Sequence, residues 1–146
     1  MRITTKSRHA ITSMLELATQ NKPVKLAMIS ENNNISLSYL EQIFASLRVK
    51  GLVKGQRGPG GGYVLAKTTS EISVADIIAA VDEWVDYAFS KPRNQFSSVQ
   101  PLTTHTLWND LSHKIFDFLA ATTLQDVIAG DGTLSEDFKS VLHKAA

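Results

Sequence analysis

The stretch that decides the fold is residues 35–67, which read ISLSYLEQIFASLRVKGLVKGQRGPGGGYVLAK. Its first part carries apolar residues at the three-to-four spacing of a helix, namely Leu40, Ile43, Phe44 and Leu47. Ser38, with Glu41 three residues later, predicts a capping box at the start of this helix. Gly51 supplies the C-terminal stop. The pattern therefore predicts a capped helix, which becomes basic toward its end.

The second part of the stretch changes its period. Leu52–Val53 and Tyr63–Leu65 are short extended runs, and a glycine-rich segment, residues 56–62, lies between them. This arrangement predicts a β-hairpin. The pattern argues against a nucleotide-binding loop, because no Gly-Lys-Ser or Gly-Lys-Thr follows and the next element is a strand.

Two more helices are expected before this stretch. Apolar residues recur at helical spacing from Lys6 to Gln20, and Asn21 and Pro23 then end the helix. A shorter apolar set around Met28 precedes three asparagines, residues 32–34, whose side chains favour a turn. Two short helices joined by a tight turn and followed by a hairpin form a winged helix-turn-helix.

The chain after the hairpin returns to helical spacing at residues 73–83. Residues 86–101 have no period and are long for a connection, which is typical of a functional loop. The longest helical pattern covers residues 102–121, and a short helix follows at residues 124–128. The apolar stripe of the long helix needs a partner surface, and it consists of Leu107, Leu111, Ile115 and Phe118.

We therefore expect a mainly α fold with a small β-hairpin wing. Three parts are predicted: a winged-helix DNA-binding domain at 1–83, a loop at 84–101, and a dimerisation helix with a C-terminal tail at 102–146.

Charge is segregated along the chain. Of the 146 residues, 43% are hydrophobic and 20% charged, as in ordinary globular proteins. Residues 1–70 hold ten Lys and Arg against three Asp and Glu, a net charge of +7, and residues 71–146 hold five against eleven, a net charge of −6. A basic part joined to an acidic part predicts a polyanion partner for the first part.

Several classes of protein are excluded by what the sequence lacks. It has no cysteine, so disulfides and thiolate metal sites are ruled out. It has neither a signal peptide nor an apolar stretch long enough for a membrane span, so we expect a cytoplasmic location and no membrane partner. No nucleophile elbow or paired-carboxylate pattern occurs, and the expectation is that the protein is not an enzyme.

The start of the predicted recognition helix carries three candidates for base contact: Ser38, Tyr39 and Gln42. The N-terminal turn of such a helix points at base edges, and a glutamine can pair with adenine through two hydrogen bonds. The alternative is that Ser38 is only a cap and Tyr39 only a packed aromatic residue.

The predicted turn of the hairpin supplies a second set of candidates: Arg57, Gly58, Pro59 and Gly60. Glycines let the backbone approach the sugar-phosphate chain, and a guanidinium group fits the negative potential of a narrow minor groove. A plain hairpin turn explains the glycines equally well, but it leaves Arg57 unexplained. Lys6 and Arg8, at the start of the first helix, are candidates for phosphate contact, with a solvated position as the alternative.

The four histidines give weak support for a metal site. His9 and His143 are expected to be solvated, and His105 and His113 lie eight residues apart on the long helix without carboxylate or sulfur neighbours. We therefore expect no metal site and no cofactor.

The segments MRITTKSRHAITSMLELA, residues 35–67, VADIIAAVDE and THTLWNDLS together resemble the IscR-type winged-helix transcriptional regulators over nearly the whole chain. The resemblance implies that Ser38, Tyr39 and Gln42 enter the major groove. It also implies that Arg57, Gly58 and Pro59 form the wing, and that the helix from His105 to Ala121 forms the dimer interface.

The sequence departs from this family at one point. Cluster-binding members carry three cysteines, spaced six apart, before the THxLW segment, and a histidine just after them. Here those positions are Ser90, Phe96 and Leu102, and only His105 remains from the ligand set. Without thiolates, a two-iron two-sulfur cluster has no credible set of ligands.

The sequence thus predicts a sequence-specific regulator that binds double-stranded DNA as a homodimer on a pseudo-palindromic operator, without an iron-sulfur cluster. A second hypothesis is a regulator gated by a small molecule or a protein partner through the 86–101 loop. A third is a protein-interaction module that has lost operator binding, although retention of Gln42 and Arg57 argues against it.

Overall fold

The computed structural model describes residues 3–83, 85 and 103–130, with the backbone alone at residues 103–106 and 109. The elements in chain order are α1 (Thr5–Thr19), α2 (Leu26–Asn33), α3 (Leu37–Val49), β1 (Val53–Gln56), β2 (Gly62–Leu65), α4 (Val74–Val81), α5 (Thr103–Ala121) and α6 (Leu124–Ile128). The mainly helical fold with one small antiparallel hairpin is therefore confirmed. Among these residues, no helix is both long enough and apolar enough to span a membrane.

The turn between α2 and α3 is set by a buried residue. Asn34 ends α2 in the left-handed conformation (φ 52°), which asparagine tolerates better than most residues. Ile35 follows and is buried; its backbone N–H donates to the carbonyl of Ser30 (3.1 Å), and the Ser30 hydroxyl donates to the carbonyl of Ile35 (2.5 Å). These two bonds close the turn, as the asparagine run predicted.

The start of α3 differs from the sequence prediction. The N-cap residue is Ser36, so Ser38 lies inside the first turn, and neither serine caps the helix through its side chain. The Ser36 and Ser38 hydroxyls lie 3.0 Å apart and pair with each other instead. The predicted capping box of Ser38 and Glu41 is therefore wrong, because the turn closed at Ile35 starts the helix two residues earlier.

A carboxylate on α1 holds the end of α2 in place. The Nδ2 atoms of Asn32 and Asn33 each lie 2.6 Å from a different carboxylate oxygen of Glu16. Asn33 also donates to the carbonyl of Ile29 (3.0 Å), one of the carbonyls at the C-terminal end of α2. Charge-assisted hydrogen bonds of this kind are stronger than neutral ones, so they fix α2 against α1.

The hairpin is joined to the helix-turn-helix by a third extended segment. Strands β1 and β2 pair antiparallel, with Val53 opposite Leu65 and Gln56 opposite Gly62. On the other side of β2, Tyr63 and Val24 exchange two backbone hydrogen bonds of 2.8 and 3.0 Å. The hairpin is therefore anchored to the segment just before α2.

The core lies between α1, α3, α4 and the hairpin. Its members are buried, and the largest are Phe44, Met14, Ile29, Leu40, Ile43, Leu47, Ile72 and Ile77. Helix α4 begins at a capping box in which the Ser73 hydroxyl accepts from the Asp76 N–H (3.0 Å) and the Asp76 carboxylate accepts from the Ser73 N–H (3.0 Å).

The end of the long helix returns to this core. Thr123 forms a second capping box, with Asp126, and bridges Ser73 in antiparallel fashion. The N–H of Val74 donates to the carbonyl of Thr122 (2.8 Å), and that of Leu124 donates to the carbonyl of Ile72 (2.9 Å). Leu124 is fully buried in the main core. Residues 122–124 therefore complete the packing of the N-terminal part.

Candidate DNA interface

Helix α3 separates its apolar residues from its polar ones. Leu40, Ile43, Phe44 and Leu47 are completely buried, which orients the helix about its axis. Ser38 and Gln42 are exposed as a result, because they lie on the opposite side of the helix. The structure thus leaves two of the three predicted base-contacting side chains open to a ligand.

Two more polar side chains of α3 extend this surface. Glu41 and Arg48 are exposed, as is Ala45 between them. The sequence pattern predicts Glu41 as part of a cap, and not as a carboxylate beside Gln42 on this surface. Its spacing from Ser38, one helical turn, is the signal that places the two on the same side.

Tyr39 occupies a different environment from its two neighbours. Its side chain is partly buried and packs against the core, as the packed-aromatic alternative predicts, but a part of it remains accessible. Its ring meets the ring of His9 on α1 edge to face, with centroids 5.7 Å apart and planes at 83°. The prediction that His9 is solvated is wrong, because its ring is half-buried against α3.

The wing presents its predicted residues to solvent. Arg57, Gly58, Pro59 and Gly60 are all exposed at the tip of the hairpin. The tip is closed by a hydrogen bond from the Gly61 N–H to the Gly58 carbonyl (2.9 Å). Gly58 has a φ of 101°, which residues other than glycine rarely adopt.

Two glycines allow the wing backbone to lie close to neighbouring backbone atoms. A Cβ atom on Gly61 would lie 2.4 Å from the Gln56 carbonyl oxygen. A Cβ atom on Gly62 would lie 2.5 Å from the carbonyl carbon and oxygen of Val24, which belong to the anchoring segment. These glycines set the position of the wing, whereas Gly58 and Gly60 lie in open space.

The two residues predicted to contact phosphate lie at the N-terminal end of α1. Thr4 caps the helix by accepting from the Ser7 N–H (3.1 Å). In the first two turns, Lys6 is half-buried and Arg8 is exposed. Free N–H groups and the helix dipole also favour an anion at this end.

Helix α5 carries its apolar residues on two sides. Phe116 and Leu119 pack against Val74, Ile78 and Val85, and they form the side that faces the rest of the chain. The predicted dimerisation residues Ile115 and Phe118 are half-buried. Leu107 and Leu111 are 61% and 45% exposed, and between them Trp108, which the sequence analysis missed, is 62% exposed.

The predicted loop at 84–101 lies outside the described residues, apart from the buried Val85. Ser90, Phe96 and Leu102 lie outside them as well, and the side chain of His105 is not described.

The residues of this chain do not fit an iron-sulfur cluster. Such a cluster is held by thiolates, and the whole sequence contains no cysteine. Within the described ranges, no three His, Asp or Glu side chains converge in a way that would hold a metal ion.

Comparison with known proteins extends over most of the chain. The family described as "Rrf2: Iron-dependent Transcriptional regulator" matches residues 3–130. The HTH-type transcriptional regulator IscR of Pectobacterium atrosepticum is 51% identical over 130 residues, which are 88% of this chain and 79% of that protein.

Two solved structures share the fold. IscR of T. potens superposes with a TM-score of 0.74 at 31% identity, over 92% of this chain and 91% of that one. CymR, the global cysteine regulator of B. subtilis, superposes with a TM-score of 0.71 at 34% identity, over 88% and 97% of the two chains.

Proposed function

Because the chain belongs to the Rrf2 family of helix-turn-helix transcriptional regulators, we propose that it binds a pseudo-palindromic operator as a homodimer. In this arrangement each α3 enters the major groove, and each wing reaches the adjacent minor groove. The two recognition helices lie about one helical turn of DNA apart (roughly 34 Å) on one side of the duplex. We propose no catalytic role and a cytoplasmic location, where the chromosome of a bacterium is found.

The observation that carries this proposal is the exposure pattern of α3. The central apolar stripe of α3 is buried, and the side opposite to it exposes the hydrogen-bonding side chains of Ser38, Glu41, Gln42 and Arg48. The exposed large apolar residues of this helix, Leu37 and Val49, lie at its two ends. Hydrogen-bonding groups of these types pair with base edges. The net charge of +7 on residues 1–70 supports the same partner, since a basic surface attracts the phosphate backbone.

The dimer is supported by the exposed apolar residues of α5. Monomeric proteins rarely leave several large apolar side chains together in water. Leu107, Trp108 and Leu111 lie within about one turn of the helix, and Ile115 continues the row. A second copy of the same helix, related by a two-fold axis, covers them and matches the two-fold symmetry of the operator.

Selection of bound fragments from the host genome, followed by footprinting, tests the proposal. We expect two protected half-sites about one helical turn apart. Arg57→Ala should weaken operator binding by about 1–3 kcal/mol per half-site, because a minor-groove contact is lost. A single protected half-site, or uniform protection of all fragments, would contradict the proposed arrangement.

We further propose that regulation does not use an iron-sulfur cluster, because the chain offers no thiolate. Protein purified without oxygen should be colourless and contain no stoichiometric iron or sulfide, and its operator affinity should not respond to iron, reductant or nitric oxide. Two iron and two acid-labile sulfide per chain would overturn this.

Gating through the 86–101 loop is the second candidate for regulation. It is favoured by the length of a connection that lacks any period. In that case a metabolite pool or a cell extract changes operator affinity where iron does not. Loss of operator binding altogether, the third hypothesis, is excluded if the fragments selected above share a common sequence.

A further inference from the structure

The contact between His9 and Tyr39 joins two parts of the DNA interface. His9 directly follows Arg8, which is exposed near the N-terminal end of α1 and suited to phosphate contact. Tyr39 directly follows Ser38 and precedes Gln42 by three residues on α3. Their rings meet edge to face at 5.7 Å, a geometry that aromatic rings prefer. The ring pair therefore links the expected phosphate contacts to the expected base contacts.

Hydrogen bonding at Nδ1 does not explain the imidazole at this place. The Nδ1 atom of His9 is buried, and no donor or acceptor in the described part of the chain reaches it. A buried polar atom without a partner costs stability, so an apolar ring of the same shape would fill the space at least as well. What the His9 side chain does provide is its ring contact with Tyr39.

Both ends of this contact are held by the fold. The carbonyl of His9 accepts from the buried Ser13 hydroxyl (2.7 Å), within a helix capped by Thr4. The Tyr39 side chain packs on the core, and its neighbour Leu40 is completely buried. The ring pair is thus a contact between two fixed helices, and removing one ring leaves the other without its side support.

We propose that His9 is a positioning residue, whose ring fixes the orientation of the Tyr39 side chain within the base-contacting turn of α3. This inference rests on the proposed function, because its effect is measured on operator DNA. Phosphate contacts orient a protein on the duplex, whereas base contacts specify the sequence. Loss of the His9 ring therefore frees the Tyr39 side chain, which weakens binding to the operator and leaves binding to random DNA unchanged.

The test compares full-length variants on the operator and on a random duplex of the same length. His9→Ala should weaken operator binding by about 2- to 10-fold per half-site, which corresponds to the loss of one edge-to-face pair. Binding to random DNA, and its salt dependence, should stay as in the wild type. His9→Phe, which keeps a ring, should restore operator binding, and Thr12→Ala, an exposed residue of the same helix, should change neither.

Two further variants separate positioning from folding. His9→Leu fills the volume without a ring, and it should lose operator preference as His9→Ala does, with an unchanged melting temperature. In a double-mutant cycle, His9→Ala should cost no further operator affinity once Tyr39→Ala is present, since coupled residues are not additive.

The outcomes distinguish the inference from the proposed function. A wild-type protein that binds operator and random DNA alike overturns the proposed function and the inference with it. If the wild type prefers its operator, the inference alone is overturned by any of three results: full operator preference in His9→Ala, equal losses on both duplexes, or additive effects of His9→Ala and Tyr39→Ala.

Discussion

Helices α3 and α5 are both amphipathic, but they leave opposite surfaces exposed. In α3 the apolar stripe that runs from Leu40 to Leu47 is buried within the chain, and the opposite side of the helix is mostly polar. Its exposed large apolar residues, Leu37 and Val49, lie at the two ends of the helix. In α5, Phe116 and Leu119 pack against the second core cluster, while Leu107, Trp108 and Leu111 are exposed among the described residues. The same type of sequence pattern therefore produces two different kinds of surface.

The difference indicates which partner each surface takes. A polar surface in a part of the chain with a net charge of +7 suits a polyanion that carries hydrogen-bonding groups. The net charge of −6 on residues 71–146 repels DNA. The exposed apolar surface of α5 is stabilised most by burial against another protein surface. DNA reading and dimer formation are thus assigned to separate helices, and each assignment can be tested alone.

The largest effect is expected from the exposed side of α5. The double substitution Leu107→Glu with Leu111→Glu should raise the dimer Kd at least about 100-fold, because burial of each leucine contributes roughly 1.5–3 kcal/mol and each tenfold change in Kd corresponds to about 1.4 kcal/mol. Sedimentation velocity measures the change. The fold should be retained, since both residues are exposed in the single chain.

A matched control for this test is Met28→Glu, which places the same charge on an exposed apolar residue of α2. It should leave the protein dimeric. Truncation after Glu83 is a poor alternative, because it also removes Leu124 from the core. A double variant that still sediments as a dimer would place the interface elsewhere than on α5.

The second effect concerns Leu124, which packs the end of the chain's long helical region into the core of the N-terminal part. Leu124→Ala should lower the free energy of unfolding by about 2–5 kcal/mol, because it opens a cavity in the core that α1 and α3 also line. Ile128→Ala, at an exposed position of the same short helix, should cost far less. Denaturant unfolding compares them, and equal losses would show that α6 does not pack as described.

The third effect concerns the contact between Gly62 in the wing and the backbone of Val24. Gly62→Ala should destabilise the protein by about 1–3 kcal/mol and weaken operator binding, because the new Cβ atom meets the Val24 backbone at 2.5 Å. Gly55→Ala, on the paired strand, meets nothing within 4 Å and serves as the control. Thermal melts and operator titrations report the two effects; identical behaviour of the variants would mean that the wing does not rest on Val24.

The smallest effect is expected from single lysines, and it compares the basic N-terminal part of the chain with α5. Lys6→Ala should weaken binding to all DNA sequences alike, and it should flatten the dependence of log K on log salt by about one unit for each phosphate contact that the dimer loses. Lys114→Ala removes the same charge from an exposed position of α5, and it should leave the slope unchanged. Similar slopes for the two variants would remove Lys6 from the interface.

The sequence was most informative where one buried face of a helix determines which of its side chains are exposed. The spacing of Leu40, Ile43, Phe44 and Leu47 predicted α3 and the exposure of Ser38 and Gln42, because a helix with one buried stripe has one orientation. The exposed tip at Arg57 followed from the glycines around it. These features depend on local spacing alone.

The features that the sequence did not predict depend on tertiary contacts. Ser36 and Ser38 are both suitable N-caps, and only the closed turn at Ile35 chooses between them. The Glu16 contacts with Asn32 and Asn33 span sixteen and seventeen residues, so no local pattern contains them. In α5 the period shows which residues are apolar, but not which of them the chain itself covers.

Base reading by α3 is tested most directly by the preference of Gln42→Ala for the operator over random DNA. Gln42 is exposed and suited to a two-bond contact with adenine, whose loss should cost about 1–3 kcal/mol at one base position of each half-site. Gln20→Ala, an exposed glutamine at the end of α1, is the control. We expect Gln42→Ala to lose preference at that position and to keep its random-DNA affinity, while Gln20→Ala behaves as the wild type. Equal losses of operator and random binding in Gln42→Ala, or no loss at all, would contradict base reading by this surface of α3.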